Sequence, residues 1–250
     1  MAKKQRTVSD MASYCGEVPE TLENHPFYGL TLDDDQKVLR DAIWNKNKDI
    51  IFVNAKAGTG KSVVSIGTAN LLVQYGLYKK IIYVCSPCNE HRTGFLPGDV
   101  THKSEVYYEP LYSAMQKLGI SPFTAIDDNS LISQKYENGG YIKPITDVYL
   151  RGCNLDNAIV ICDEMQNFTF DICKKVLTRT CENAKVICIG HDGQTDLLKK
   201  EESGFTKYIR HFAREDNEHL DRVAICQLTH NHRHWIAEWA DELQITKEKR

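Results

Sequence analysis

Residues 54–62 carry the clearest chemical signal in the sequence, a glycine-rich stretch that ends in Gly60-Lys61-Ser62. The stretch follows the apolar run 50–53 and precedes a segment of helical length, which is the setting of a phosphate-binding loop. Small residues let backbone N–H groups wrap a phosphate, the lysine ammonium balances its charge, and the serine hydroxyl can reach Mg²⁺. We therefore predict that nucleotide is bound by Ala55, Lys56, Ala57, Gly58, Thr59, Gly60, Lys61 and Ser62.

Two adjacent carboxylates, Asp163 and Glu164, directly follow the apolar run 159–162. Asp163 at this position can hold Mg²⁺ through water, and Glu164 can polarise a water that attacks phosphate. Taken alone, such a pair is often only a solvated strand end. Combined with the loop, the pair predicts nucleotide hydrolysis in which Lys61 and Glu164 are catalytic.

Two more polar side chains follow predicted strands at the same edge of the sheet. Gln194 comes after the run 186–189, and its amide can contact both the γ-phosphate and the attacking water. Arg233 comes after the run 223–228, where its guanidinium can stabilise charge on the transferred phosphoryl group. A single residue of either kind is more often a surface feature. Their shared position at strand ends favours a catalytic role for both.

Upstream of the loop, two residues are candidates for contact with the base. Gln36 lies in the first predicted helix, and its amide can both donate to and accept from an adenine edge. Tyr28 either lies over the base or packs in the core.

These side chains require a scaffold that brings strand ends together. Between the short apolar runs lie segments of helical length at 61–75, 171–179 and 234–243. The pattern predicts an α/β fold, a single RecA-like P-loop domain over about 26–245 with helices on both faces of a parallel sheet. One strand separates the loop from Asp163 in sequence, as in ATPases with an additional strand. The predicted strands are 50–53, 81–85, 159–162, 186–189 and 223–228.

Residues of about 86–151 break this pattern and predict an insertion on the strand-end face, with a helix over 110–118. Residues 1–25 are predicted to be irregular. The net charge of −3 argues against charge-driven coating of nucleic acid but permits a local basic groove. Candidate strand-binding residues, for which ordinary solvated surface is an equal alternative, are Arg92, Lys103, Tyr107, Tyr108 and Arg151.

The composition sets limits on location and on metals. No apolar run approaches the roughly 18 residues of a membrane helix, and no signal peptide is evident. Nine scattered cysteines indicate reduced thiols and a cytoplasmic protein. Zinc is disfavoured because no second Cys-x-x-Cys pair completes a tetrahedral set. The residues with zinc-like spacing are Cys85, Cys88 and His91, with His230, His232 and His234 as further nitrogens.

The motifs together resemble the PhoH-like ATPases, a family related to superfamily 1 helicases. Superfamily 1 loops often begin with alanine, so Ala55 fits this resemblance although the full phosphate-loop motif has glycine there. The chain departs from the family at His191 in place of Asp, at Ser86-Pro87 in place of Arg-Pro, and at Cys153 in place of Arg. The matching segments are 28–31 with Gln36, 55–62, 94–99 with Lys103, 149–152, 163–167, 177–179, 190–197 and 203–204, together with Leu228-x-x-Asn231-x-Arg233.

The resemblance implies an Mg²⁺-dependent ATPase that acts on single-stranded nucleic acid, RNA rather than DNA, with possible RNA helicase activity. Because a superfamily 1 helicase has two ATPase domains, translocation by this chain would require a homo-oligomer such as a hexameric ring. Two alternatives stay open. One is a slow nucleotide-dependent switch or scaffold, and the other is a small-molecule kinase.

Overall fold

The chain folds around a parallel β-sheet. A computed structural model describes residues 17–86, 106–127, 140–152, 155–193, 195–197, 202–236 and 239. The sheet has six strands in the order β3-β2-β4-β5-β1-β6, and all neighbouring strands are parallel. The strands are β1 (Ile50–Ala55), β2 (Lys80–Cys85), β3 (Ile142–Thr146), β4 (Ala158–Cys162), β5 (Lys185–Gly190) and β6 (Val223–Leu228).

Helices cover both faces of the sheet, as predicted. Ile51 and Val53 of β1 lie in the apolar cluster formed with α1, α2, α3 and α4, whereas Phe52 lies in the cluster formed with α5 and α6. A strand covered on both sides must be apolar at every position, which explains the continuous apolar runs. The helices are α1 (Asp34–Trp44), α2 (Lys61–Gln74), α3 (Glu109–Lys117), α4 (Pro122–Ala125), α5 (Phe170–Leu177) and α6 (Phe205–Phe212).

The structure corrects the predicted strand count. Two strands, β2 and β3, lie between the loop and Asp163 in sequence, and the strand between β1 and β4 in the sheet is β5. The segment 86–151, predicted to be an insertion, contributes edge strand β3 and helix α3, which packs against α2. Strand β3 escaped prediction because Lys143 and Pro144 interrupt its apolar pattern. Strand β6 is an edge strand, and its Ile225 is 41% exposed.

Several predicted segments fall partly outside the described residues. Residues 17–25 contain no helix or strand, although Leu22 is fully buried and the indole of Trp44 donates to the Pro19 carbonyl. Of the helix predicted over 234–243, residues 234–236 and 239 are described, and all of these except 234 are helical. Among the described residues, no helix is both long and apolar enough to cross a membrane.

A buried lysine joins β5 to the end of α1. The ammonium of Lys185 donates to the carbonyl of Asn45 at 2.8 Å and to that of Lys48, and only 1% of the residue is exposed. Burial lowers the pKa of Lys185 from its ordinary 10.5 to about 8, although Asp49 opposes the shift.

This pKa predicts a pH-dependent gain in stability. Between the folded pKa of about 8 and the ordinary 10.5, the unfolded chain binds more protons at Lys185, so the free energy of unfolding rises with pH. The variant Lys185→Met lacks this rise in the free energy of unfolding, which should reach about 2 to 3 kcal/mol in the wild type. Urea titrations from pH 7 to 10.5 measure it as the difference between wild type and variant. The half-exposed Lys37, replaced by Met, is the control, and a flat difference for Lys185 would contradict the assignment.

Candidate active site

The glycine-rich loop leaves the carboxyl end of β1 and enters α2, with Gly58 and Gly60 in the left-handed region at φ +88° and +79°. A Cβ at Gly58 would lie 2.8 Å from the side chain of Arg233, and one at Gly60 would lie 2.5 Å from the amide nitrogen of Gln36. Both positions therefore need glycine for conformation and for space. The loop is built against two polar side chains that were predicted to act at the same site.

Lys61 lies at the start of α2 and is 8% exposed. Its ammonium lies 3.4 Å from the carboxylate of Glu164 and 3.4 Å from the carbonyl of Ala55. The predicted phosphate-binding cation and the predicted catalytic carboxylate are thus neighbours. An incoming phosphate group would meet Lys61 where that ammonium already balances a negative charge.

Asp163 is fully buried beneath the loop and joins three elements. Its Oδ2 accepts hydrogen bonds from Ser62 at 3.0 Å and from Tyr83 at 2.7 Å, while its Oδ1 accepts from the backbone N–H of Glu164. Burial raises the pKa of Asp163, and the charge of Glu164 adds to this, against lowering contributions from Tyr83, Lys61 and Ser62.

The oxygen atoms of Ser62 and Asp163 fit a magnesium ion. Mg²⁺ is commonly held by one or two protein oxygens together with substrate phosphates and water, rather than by a cage of side chains. Among the described residues, no group of three or more His, Cys, Asp and Glu side chains could hold a metal ion. Ser62 and Asp163 are the residues that could hold such an ion together with a bound phosphate.

Glu164 has a left-handed backbone, with φ 51° and ψ 41°. A residue with a side chain rarely adopts this conformation, and such strain is concentrated at functional positions. Gln166 fixes the Glu164 side chain by donating to its Oε2 at 2.5 Å. The other end of the Gln166 amide accepts from the backbone N–H of His191 at 3.1 Å. Gln166 therefore links the carboxylate that was predicted to be catalytic to the residues that follow β5.

A second connection between these segments lies one residue further along. The amide of Asn167 donates to the carboxylate of Asp196 at 2.9 Å, and its oxygen accepts from the Asp196 backbone N–H at 2.9 Å. Gln194 itself lies outside the described residues, so its predicted role stays a prediction. The contacts on either side of it place His191 and Asp196 against Gln166 and Asn167, close in sequence to Glu164.

Gln36 lies against the loop and is 6% exposed. Its amide donates to the Thr59 carbonyl at 2.9 Å. The same nitrogen lies 2.9 Å from the ring of His232, which lies 2.8 Å from the carboxylate of Asp33. Asp33 and Gln36 also form the capping box that begins α1. These contacts tie Gln36 to the loop itself, and its reading of adenine stays a prediction.

Arg233 is positioned by the segment after β6. The backbone N–H of His232 donates to the Gly58 carbonyl at 3.0 Å, and the Asn231 side chain accepts from the Arg233 backbone N–H at 2.8 Å. The arginine is exposed and borders a cavity of about 760 Å³. Lys61, Ser62 and Glu164 line the same cavity, so Arg233 belongs to the site of its own chain.

The candidate nucleic-acid residues are only partly placed. Tyr107 is 37% exposed and so accessible, but Tyr108 is buried, which removes it as a stacking residue. Arg151 lies in a 3-10 helix over Asp147–Gly152, with no description of its side chain. Tyr28 serves the core, because its hydroxyl donates to the Gly67 carbonyl and accepts from Asn70. Arg92 and Lys103 lie outside the described residues.

The residues with zinc-like spacing are also only partly placed. Cys85 is a buried strand residue, and burial raises the pKa of its thiol to about 12, which disfavours the thiolate that zinc requires. Cys88 and His91 lie outside the described residues.

Two residues that contact the predicted site carboxylates were not predicted from the sequence. Tyr83 is indistinguishable from an ordinary core residue in the apolar run of β2, and only its contact with Asp163 reveals it. Gln166 lies within the segment 163–167 that carried the family resemblance, but nothing in the sequence showed that its amide would hold Glu164.

Comparison with known proteins identifies the family to which the chain is similar. The model of the family described as PhoH-like protein matches residues 31–243. A PhoH-like protein of Bacillus subtilis is 34% identical over 73% of this chain and 53% of its own length. Protein PhoH of Escherichia coli is 30% identical over 74% and 52%, so the chain spans about half the length of these relatives.

Solved structures are more distant. The SWI2/SNF2 ATPase core of Sulfolobus solfataricus in complex with dsDNA aligns with 79% of this chain and 45% of that chain, at 13% identity and a TM-score of 0.44. A Bacteroides Pif1 in complex with ADP-AlF4 aligns with 85% and 45%, at 16% identity and a TM-score of 0.38. The family model covers most of the chain and includes every element of the site described above. The chain therefore belongs to the PhoH-like family.

Proposed function

We propose that the chain binds ATP with Mg²⁺ and hydrolyses it, and that single-stranded nucleic acid, RNA in preference to DNA, stimulates the reaction. The observation that carries the proposal is the convergence of Lys61, Ser62 and Glu164 on one cavity, with the buried Asp163 hydrogen-bonded to Ser62. A phosphate loop beside a paired carboxylate at a strand end is the arrangement that phosphoryl transfer to water requires.

Each side chain has a separate task in this proposal. The loop N–H groups and Lys61 bind the phosphates, and Ser62 and Asp163 are the residues that would hold Mg²⁺, which supplies charge neutralisation. Glu164 accepts a proton from the attacking water, and Gln166 holds Glu164 in place. Arg233 stabilises the charge that develops on the transferred group.

The direct test is phosphate release from ATP and Mg²⁺, with and without oligouridylate or oligothymidylate. We expect turnover in the wild type that rises with the strand, and loss of turnover in Lys61→Ala because the variant lacks the phosphate-binding cation. The exposed Lys37→Ala is the control. Nucleotide binding without turnover above Lys61→Ala would instead favour the switch, and turnover that requires a small acceptor would favour the kinase.

Assembly as a homo-oligomer, such as a hexameric ring, remains part of this proposal because it would supply the second ATPase unit that translocation requires. Arg233 borders the cavity of its own chain, so this residue need not come from a neighbour. Light scattering in the presence of nucleotide would distinguish a monomer from a homo-oligomer. A single species with the mass of one chain would contradict the oligomer.

A further inference from the structure

An aromatic pair lies on the face of the sheet covered by α5 and α6. The rings of Phe170, at the start of α5, and Tyr208, in α6, are stacked with centroids 5.3 Å apart and planes inclined by 17°. Phe170 is 44% exposed and Tyr208 is partly exposed. Phe168 and Phe205 belong to the buried apolar cluster on this face, whereas Phe170 remains exposed.

Basic side chains lie on the same two helices. Lys174 lies one turn after Phe170 on α5, and Lys207 and His211, one residue before and three residues after Tyr208, are exposed on α6. Helix α6 contains no acidic residue, whereas α5 has one acidic side chain, Asp171, next to Phe170. This concentration of positive charge stands out in a chain whose net charge is −3. We call the five residues Phe170, Lys174, Lys207, Tyr208 and His211 the aromatic–basic surface.

The surface is attached to the candidate active site through the backbone. Glu164 and Phe170 are six residues apart, and the intervening Phe168 is fully buried. The Phe168 carbonyl accepts from the Gly204 N–H at 2.9 Å, just before α6 begins, and Thr169 forms an antiparallel bridge with Ser203. A Cβ at Gly204 would lie 3.1 Å from the Phe170 backbone, so the two helix starts are in close contact.

We propose that the aromatic–basic surface binds single-stranded nucleic acid, with a base stacked on Phe170 and phosphates bound by the surrounding cations. Stacked aromatic rings accompanied by basic side chains match the two interactions that hold single strands without sequence preference. An apolar protein partner would not exploit this charge. The proposal deepens the proposed function by locating the strand, and its coupling to ATP turnover rests on that function.

Binding is tested with fluorescein-labelled oligouridylate and oligothymidylate of about 15 nucleotides, by anisotropy at low salt. We expect Phe170→Ala to weaken binding by about tenfold or more, because one stacking contact is lost. Phe170→Trp should retain binding, which shows that the ring and not the fold is responsible. The control is Phe123→Ala on α4, because Phe123 is 75% exposed yet belongs to the other face of the sheet.

The charge component has its own readout. Lys174→Gln and Lys207→Gln should each reduce the slope of log affinity against log salt by about 0.7, the value for one phosphate contact on a single strand. Comparison of the oligouridylate and oligothymidylate slopes and affinities distinguishes RNA from DNA. Equal affinity and slope in wild type, Phe170→Ala and both charge variants would overturn the proposal.

The outcomes separate this proposal from the proposed function. Strand binding that depends on Phe170, in a protein that releases no phosphate, would support the surface and contradict the ATPase. Phosphate release that is unchanged without a strand but no longer stimulated in Phe170→Ala would support both. If Phe170→Ala instead lowers the mass in light scattering and leaves strand affinity unchanged, the surface is an interface between copies and the proposal is wrong.

Discussion

Glu164→Gln should abolish ATP turnover while nucleotide binding is retained. The amide has the shape of the carboxylate and can keep the contact with Gln166, so the left-handed backbone at this position is not disturbed. It cannot accept a proton from water, and loss of a general base costs about a hundredfold to ten-thousandfold in rate. Affinity for ATP should be equal to or higher than that of the wild type, because Lys61 no longer has a carboxylate partner 3.4 Å away.

Single-turnover phosphate release and a separate titration with a fluorescent ATP analogue measure the two quantities. Glu182→Gln, an exposed substitution of the same kind, is the matched control and should change neither. Turnover in Glu164→Gln within about threefold of wild type would remove Glu164 from the reaction, because that difference is worth less than 1 kcal/mol. Loss of both binding and turnover would point to a structural role.

Gly60→Ala should eliminate nucleotide binding, whereas Gly76→Ala should not. Both glycines have positive φ, +79° and +71°, so alanine strains the backbone at either position by about 1 kcal/mol. A methyl group at Gly76 would meet nothing within 4 Å, but one at Gly60 would lie 2.5 Å from the amide of Gln36. Only the Gly60 substitution forces a neighbouring group to move, and the displaced Gln36 amide would lose its hydrogen bond to the Thr59 carbonyl of the loop. We expect at least about a hundredfold loss of affinity, equivalent to about 2.7 kcal/mol.

Calorimetric titration with ATP and Mg²⁺ measures these affinities, and thermal unfolding measures the shared strain. The double variant Gln36→Ala with Gly60→Ala tests the cause, because removing the amide creates room for the methyl group. A partial recovery of affinity in the double variant is expected as a non-additive effect between residues in contact. If Gly60→Ala and Gly76→Ala bind ATP equally well, the tight approach of Gln36 does not shape the loop.

The strands and the phosphate loop could be predicted because each has a local cause. A run such as 159–162 must be apolar when helices cover both faces, and Gly58 and Gly60 are required by the loop itself. Strand β3 could not be predicted in this way, since Pro144 is acceptable only because that strand lies at the edge. Whether a strand lies at the edge depends on the order of all strands in the sheet, so a short stretch of sequence does not show it.

The candidate site likewise contains residues that the local sequence predicts and residues whose role depends on the whole fold. Lys61 and Asp163 were identified by type and spacing, but the use of Tyr83 depends on β2 and β4 being adjacent in the sheet. The contact between Gln36 and His232 joins residues that are 196 positions apart, so no local sequence pattern predicts it. The contact of Gln36 with the base stays a prediction, and the structure adds that its amide donates to the Thr59 carbonyl of the loop.

The pairing of Lys61 with Glu164 has a consequence for the order of events. In the proposed reaction, a phosphate that engages the Lys61 ammonium would compete with the Glu164 carboxylate for it, so phosphate binding and release of the proposed base would be one exchange. Until then the Glu164 carboxylate stays paired with Lys61. On this proposal, binding of the substrate would itself free the base that acts on it.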